Sequence, residues 1–256
     1  MTSYSSRFWL YAPTALFLAI AAAVMVHWWL RADAFEKRLA AIKGREAVPG
    51  ITLDWTRVEV GGFPFRLDAG FTDFRVKGAG AHGPFAWQSE KFALHALTYG
   101  RRQDVFEAAG RQTVAWTEAD GRAGAASFLP GSLHASAITD ANGLARADLD
   151  IVDAGAKDFT VARFQLHMRR DPLMEGRGGG LDLMLRADSI KGFGVDQPLV
   201  EIYATLNKAA ALAPLLAGAK AWPAAIGDWR AQGGAAKLTR ITAPGLSPDR
   251  LLSVFY

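Results

Sequence analysis

The stretch "FWLYAPTALFLAIAAAVMVHWWL", Phe8 to Leu30, contains no charged residue, and nothing else in the chain narrows its possible folds so sharply. At ~1.5 Å per residue in a helix, about 23 residues cover the ~30 Å hydrocarbon layer of a bilayer. A cleaved signal peptide would have a shorter apolar region and a small-residue exit. Ala19 to Ala23 offer such an exit, but cleavage there would leave "VMVHWWL" exposed on the mature chain. A buried helix would not usually be so uniformly apolar. An uncleaved anchor is therefore expected, with Trp9 and Tyr11 at one end and Trp28 and Trp29 at the other as interfacial aromatic belts. His27 is expected at the same boundary.

Orientation is contested by the charges. Arg7 is the only basic side chain before the span, whereas Arg31, Lys37, Arg38, Lys43 and Arg45 follow it. A positive-inside count would keep the body in the cytoplasm. With 256 residues, half of them hydrophobic, the chain can bury a proper core, and one globular domain is the default. No cysteine occurs, which excludes disulfides and thiolate metal sites and fits either compartment. The net charge of +4 is spread out; it argues for proximity to anionic lipid rather than for nucleic acid.

After the span, "RADAFEKRLAAIKGRE" places Phe35, Leu39 and Ile42 at i, i+4, i+7 among charges, the pattern of an amphipathic stalk helix over 31–48 that Pro49 and Gly50 would end. From there short alternating runs separated by Gly, Asp and Asn read as strands and turns. In "GGFPFRLDAGFTDFRV" Phe63, Phe65, Leu67, Ala69 and Phe71 share one parity, then the apolar set moves to Phe74 and Val76. Such a change requires a bulge or tight turn near Thr72 and Asp73. Similar shifts lie between Trp55 and Val58 and between Val161 and Phe164, which together predict a twisted, coiled sheet. Further strands are expected at 92–99, 113–117, 125–129, 144–152, 159–168, 181–187 and 199–206. Consecutive strands with short loops favour an antiparallel meander. "WPAAIGDWRAQGG" predicts a helix with Pro223 near its start, Trp222, Ile226 and Trp229 on one face, and Gly233-Gly234 at its end.

Motifs that could carry chemistry are few. "GAGAHG", Gly78 to Gly83, matches a dinucleotide fingerprint, but Pro84 leads into another strand-like run instead of a helix N-terminus, and Arg101-Arg102 stand where an acidic ribose ligand belongs. A turn is expected there. "GRGGG", Gly176 to Gly180, lacks the Lys-Ser/Thr of a phosphate loop and reads as a hairpin linker. His82, His95, His134 and His167 show no metal-ligand spacing. A Ser/His/Asp triad could still assemble from distant segments, because sequence order does not reveal one. The basic pairs Arg101-Arg102 and Arg169-Arg170 read as solvated strand ends, with lipid headgroups or an acidic partner as the alternative.

"DWTRVEVGGFPFRLDAGFTDFRV" and, far downstream, "DWRAQGGAAKLTRI" resemble the bacterial family known as domain of unknown function 2125. The resemblance covers the anchor and most of the chain. It implies a single-span inner-membrane protein with a periplasmic, β-rich body, more distantly similar to AsmA-like envelope proteins whose coiled sheets form apolar grooves. It implies no catalytic residues. Family members continue past the paired glycines with further strands, whereas this chain turns to "TAPGLSPDRLLSVFY"; truncation or a shifted reading frame would leave closure of the sheet open.

The expected architecture is thus mainly β (β-rich α+β): a cytoplasmic tail at 1–7, an anchor at 8–30, the stalk at 31–48, and a coiled antiparallel meander with one or two packing helices at 49–256. Gly62, Phe63, Pro64, Phe65 and Arg66 are expected to start an edge strand with both phenylalanines turned inward, since Pro64 has no amide hydrogen and the glycines permit a sharp entry. Phe92 and Leu94 on one parity, with Leu97 and Tyr99 on the other, are candidates to line an apolar groove. The expected function is a non-enzymatic envelope protein holding lipid or another apolar ligand, without cofactor, metal or nucleic acid. The alternatives are a scaffold for another envelope protein and, third, a hydrolase.

Overall fold

The computed structural model describes residues 8–80, 82–97, 103–171, 178–192 and 195–244. Tyr99, Arg101-Arg102, Gly176 and the chain beyond 244 lie outside them. A single helix, α1, runs from Phe8 to Ile42, so anchor and stalk are one rod of about 52 Å. Its end corrects the expected stalk boundary. Gly44 takes φ +67°, and its N–H bonds Leu53 O at 2.7 Å. Helix therefore gives way to strand at the first glycine after the apolar stripe, the common C-terminal stop. Pro49 and Gly50 instead turn the first hairpin, β1 (Arg45–Val48) to β2 (Ile51–Asp54).

The body is one antiparallel sheet. Its remaining strands are β3 (Arg57–Gly61), β4 (Arg66–Ala79), β5 (Pro84–Leu97), β6 (Gln103–Thr117), β7 (Ala123–Phe128), β8 (Ser132–Asp140), β9 (Gly143–Ala156), β10 (Phe159–Arg170), β11 (Gly180–Gly192), β12 (Val195–Asn207) and β13 (Ala236–Thr242). Spatial order follows chain order except that β3 shares β4 with β2, and β7 shares β6 with β8. This is the expected meander. Between β12 and β13 come a 3₁₀ turn (Ala209–Leu212), α2 (Ala213–Leu216) and α3 (Trp222–Ala231). "GAGAHG" is the β4–β5 turn, closed by Gly80 N–H to Gly83 O at 2.7 Å.

The parity change after Phe71 has a cause that recurs along the sheet, whereas the one between Trp55 and Val58 falls at the break between β2 and β3. Asp73, Gly110, Asp153 and Ser189 have φ of +52°, +75°, +52° and +52°, and they sit on β4, β6, β9 and β11, every other strand of the sheet. At Asp73 the register is kept, with Thr72 opposite Lys91 and Phe74 opposite Ser89. A left-handed residue turns the following side chains over without an inserted residue. Of these four kinks, the one at Gly110 also brings a bulge, in the β5–β6 pair. There Gln112, fully buried, donates to Ala109 O and Gly110 O and accepts from Trp87 Nε1, while Ser89 Oγ donates to Lys91 O. These side chains satisfy backbone carbonyls that the kink leaves without ladder partners.

Because directly opposed residues share a face, the register shows what each face carries. One row reads Phe71, Phe92, Ala108, Leu133, Ile151, Phe164, Ala187, Val200 across eight strands. The next reads Ala69, Leu94, Phe106, Ala135, Leu149, Leu166, Leu185, Ile202. The opposite face carries rows such as Asp68, His95, Val105, Ser136, Asp148, His167. A sheet this clearly two-sided must cover its apolar side.

Among the described residues two helical elements cover its ends. Phe35, Leu39 and Ile42 of α1 pack on Trp55, Ala69, Phe71 and Phe74, as the stripe predicts. At the other end Leu212, Ala225 and Trp229 pack on Leu181, Leu206 and Met168. Trp222 shares the face of Ala225, Ile226 and Trp229, as expected, but at the first residue of α3 it is 52% exposed. The accessible surface is 16555 Å², against about 11,000 Å² for a compact chain of this mass. The protruding helix and the uncovered sheet contribute to the excess.

Candidate functional site

Among the described residues no helix covers the apolar face between the two helical caps. Phe106, Ala135, Leu149, Leu185 and Ile202 are half-buried and Leu166 is exposed, although all six stand in one row. The face lies inside a bend. The C-terminal cap packs on the apolar side of β10–β12 and also reaches the first hairpin: a Cβ at Gly50 would stand 3.1 Å from Ala221 Cβ, and one at Gly218 3.3 Å from Val48 Cγ1. The two ends of the sheet thus approach each other on the apolar side.

One acid interrupts this surface. In the row Ala96, Asp104, Ala137, Ala147, Met168, burial raises the Asp104 carboxyl above its ordinary pKa. Below the ordinary aspartate value of about 3.9 folded and unfolded chains are both protonated and nothing is lost. As pH rises the unfolded chain ionises first, so folding loses stability until the pH passes the raised native value. Asp104→Asn should therefore raise the melting temperature more at pH 7 than at pH 4. Equal gains at both values would refute this account.

The polar face holds a cleft of about 440 Å³ lined by Arg146, Asp148, His167, Asp182 and Tyr203, among others. Asp148 lies at its centre, accepting from Arg146 Nε at 2.8 Å and from Ser136 Oγ at 3.2 Å, with His167 Nδ1 at 2.7 Å. Burial pushes its carboxyl up, but these hydrogen bonds outweigh that and hold it below the ordinary value. A nucleophilic triad needs the histidine between serine and acid; here the acid is between. Asp150 is likewise held low, by Arg163 at 2.8 Å. Arg169 pairs with Asp182, and Arg170 with Asp140. The Arg170 side chain is mostly buried, so it is not the solvated strand end expected of it. Among the described residues no group of three or more His, Asp or Glu is arranged to hold a metal.

The residues singled out in the sequence separate. Phe92 and Leu94 lie on the apolar face but pack into the cluster of Leu39, Trp55, Ala69, Phe71 and Phe74, so they line no open groove. Leu97 takes the opposite parity and is 47% exposed, so it lines no common groove with them. Phe63 and Phe65, expected inward, are 52% and 56% exposed. The strand starts only at Arg66, and Gly62 to Arg66 form a turn closed by Arg66 N–H to Gly62 O at 2.9 Å. Strand alternation therefore does not extend to the two phenylalanines. Gly62 has φ +96°, and a Cβ there would meet Arg66 O at 2.8 Å, so the turn requires glycine. The open row was missed because its members come one per strand from six strands.

A long apolar N-terminal helix joined to a single bent sheet with one apolar face, capped at two ends, defines a β-rich protein with one helix long and apolar enough to cross a membrane. The chain belongs to the family described as uncharacterized protein conserved in bacteria, DUF2125, which matches residues 28–247. No curated protein and no solved structure matches it.

Proposed function

We propose that this protein is a membrane-anchored, non-enzymatic carrier of lipid acyl chains, its body in the periplasm. The observation that carries the reading is the open row from Phe106 to Ile202, hydrocarbon at every position. Six strands at ~4.8 Å spacing make it about 24 Å long, longer than one bilayer leaflet at roughly 15 Å. An acyl chain laid across the strands fits such a row. Bare apolar surface of this extent otherwise promotes aggregation, and α1 keeps the row beside a bilayer. The family resemblance supports the periplasmic side. The basic residues that count against it lie largely in a helix packed on the sheet, and one, Lys37, is paired with Asp33 at 2.7 Å. A second reading, a scaffold that recruits another protein by strand addition, is favoured by β13, whose outer positions including Leu238 are exposed.

The test uses the full-length protein in nanodiscs containing a phospholipid with a photoreactive group on its acyl chain. Adducts are expected on peptides carrying Leu149, Leu166 and Leu185, and Leu166→Asp should abolish them without loss of folding. Adducts confined to α1 would reject the lipid reading and favour the scaffold.

A further inference from the structure

We infer that the turn from Gly62 to Arg66 is a second membrane contact, which sets Phe63 and Phe65 into the headgroup layer of the bilayer that α1 crosses. The inference rests on the anchor proposed above. Trp28 lies three residues before Arg31, the first charge after the apolar stretch, hence about 4.5 Å inside its end. The turn is fastened at that depth. Phe63 meets the Trp28 ring edge-on at a centroid distance of 5.5 Å, and Trp28 Nε1 donates to Arg66 O at 2.8 Å. An indole N–H near hydrocarbon needs such an acceptor, so the contact secures the helix as well as the turn.

Single exposed aromatics are ordinary on a protein surface. Here Phe63, Phe65 and Trp29, 62% exposed, gather at the end of one apolar helix, the composition of an interfacial belt. Arg66 extends from the same turn, paired with Asp68 at 3.2 Å yet with its side chain more than half exposed, so its outer face can still meet anionic headgroups. The match to the family begins at Trp28 and so includes both partners of the contact. Attachment at two points, helix and turn, fixes the tilt of the sheet on the membrane, which a lone helix would leave free.

The chain has no cysteine, so one introduced thiol can carry a nitroxide without background. Full-length Phe65→Cys, Arg66→Cys, Leu18→Cys and Asp120→Cys are labelled and reconstituted into vesicles of phosphatidylcholine and phosphatidylglycerol. Accessibility to oxygen is then compared with accessibility to a water-soluble nickel chelate. Position 18 reports the span, and position 120 reports the turn beyond the opposite end of β4–β6. Positions 65 and 66 are expected between these two, with an oxygen-to-nickel ratio several-fold above that at 120. Values at 65 and 66 equal to those at 120, with 18 still deep, would overturn the inference and leave the anchor. An aqueous position 18 would overturn the anchor itself.

Discussion

Phe71→Ala should lower stability by about 3–5 kcal/mol, while Phe63→Ala should cost no more than about 1.5 kcal/mol, the value of one aromatic contact. The two residues stand eight apart in the same motif and share parity, yet their surroundings differ completely. Phe71 is 5% exposed and packs against Trp55, Phe74 and Phe92 at ring distances of 5.1, 5.2 and 5.8 Å. Removing it leaves a void that kinked strands and a helix must collapse to fill. Phe63 has Trp28 as its aromatic neighbour and little else to lose. Chemical denaturation of the full-length variants in detergent, followed by tryptophan fluorescence, measures both. Equal losses would mean that the motif is core throughout.

The second large effect belongs to the C-terminal cap. Trp229→Ala should also cost about 3–5 kcal/mol, because the ring is buried among Leu181, Leu212 and Ala225 and its Nε1 donates to Asn207 O at 2.7 Å. Gly234→Ala should act through the same ring. A Cβ at 234 would stand 2.3 Å from Trp229 Cε2 and Nε1, so the indole must move, at a cost of about 1–3 kcal/mol. Combining the two should cost much less than their sum, since the small residue at 229 removes what the new methyl strikes. Additive losses in thermal melts of the double variant would show that Gly234 serves some other purpose.

Features that depend on neighbours in sequence were legible. The stripe Phe35, Leu39, Ile42 predicts a helix packing on the body, and it does. The parity change after Phe71 marks a local departure from strand geometry, found at Asp73. Positions where an alternation begins or ends were less legible. "FPF" continues the parity of Leu67 and Ala69, but a turn occupies it, and parity alone does not distinguish the last turn residue from the first strand residue. β8 and β13 escaped notice because "SLHASAITD" and "AKLTRIT" are short, mixed runs whose strand state comes from pairing with neighbours. The open row was least legible of all. Leu149, Leu166 and Leu185 become neighbours only through the register of β9, β10 and β11.

The order of the strands bears on how the chain reaches this state. Each strand pairs with one just made or separated from it by a single short strand, so loop-closure entropy stays low and pairing can proceed in the order of synthesis. Each helical core is also local, one drawn from residues 35–94 and the other from 168–229. The contacts of Gly50 with Ala221 and of Val48 with Gly218 differ in kind, since they join segments about 170 residues apart. They cannot form until the chain through β12 and the cap has been made. Docking the cap on the first hairpin is thus a late step of assembly, and until it happens the strands can be paired yet unbent, with their apolar side presented to whatever is nearby.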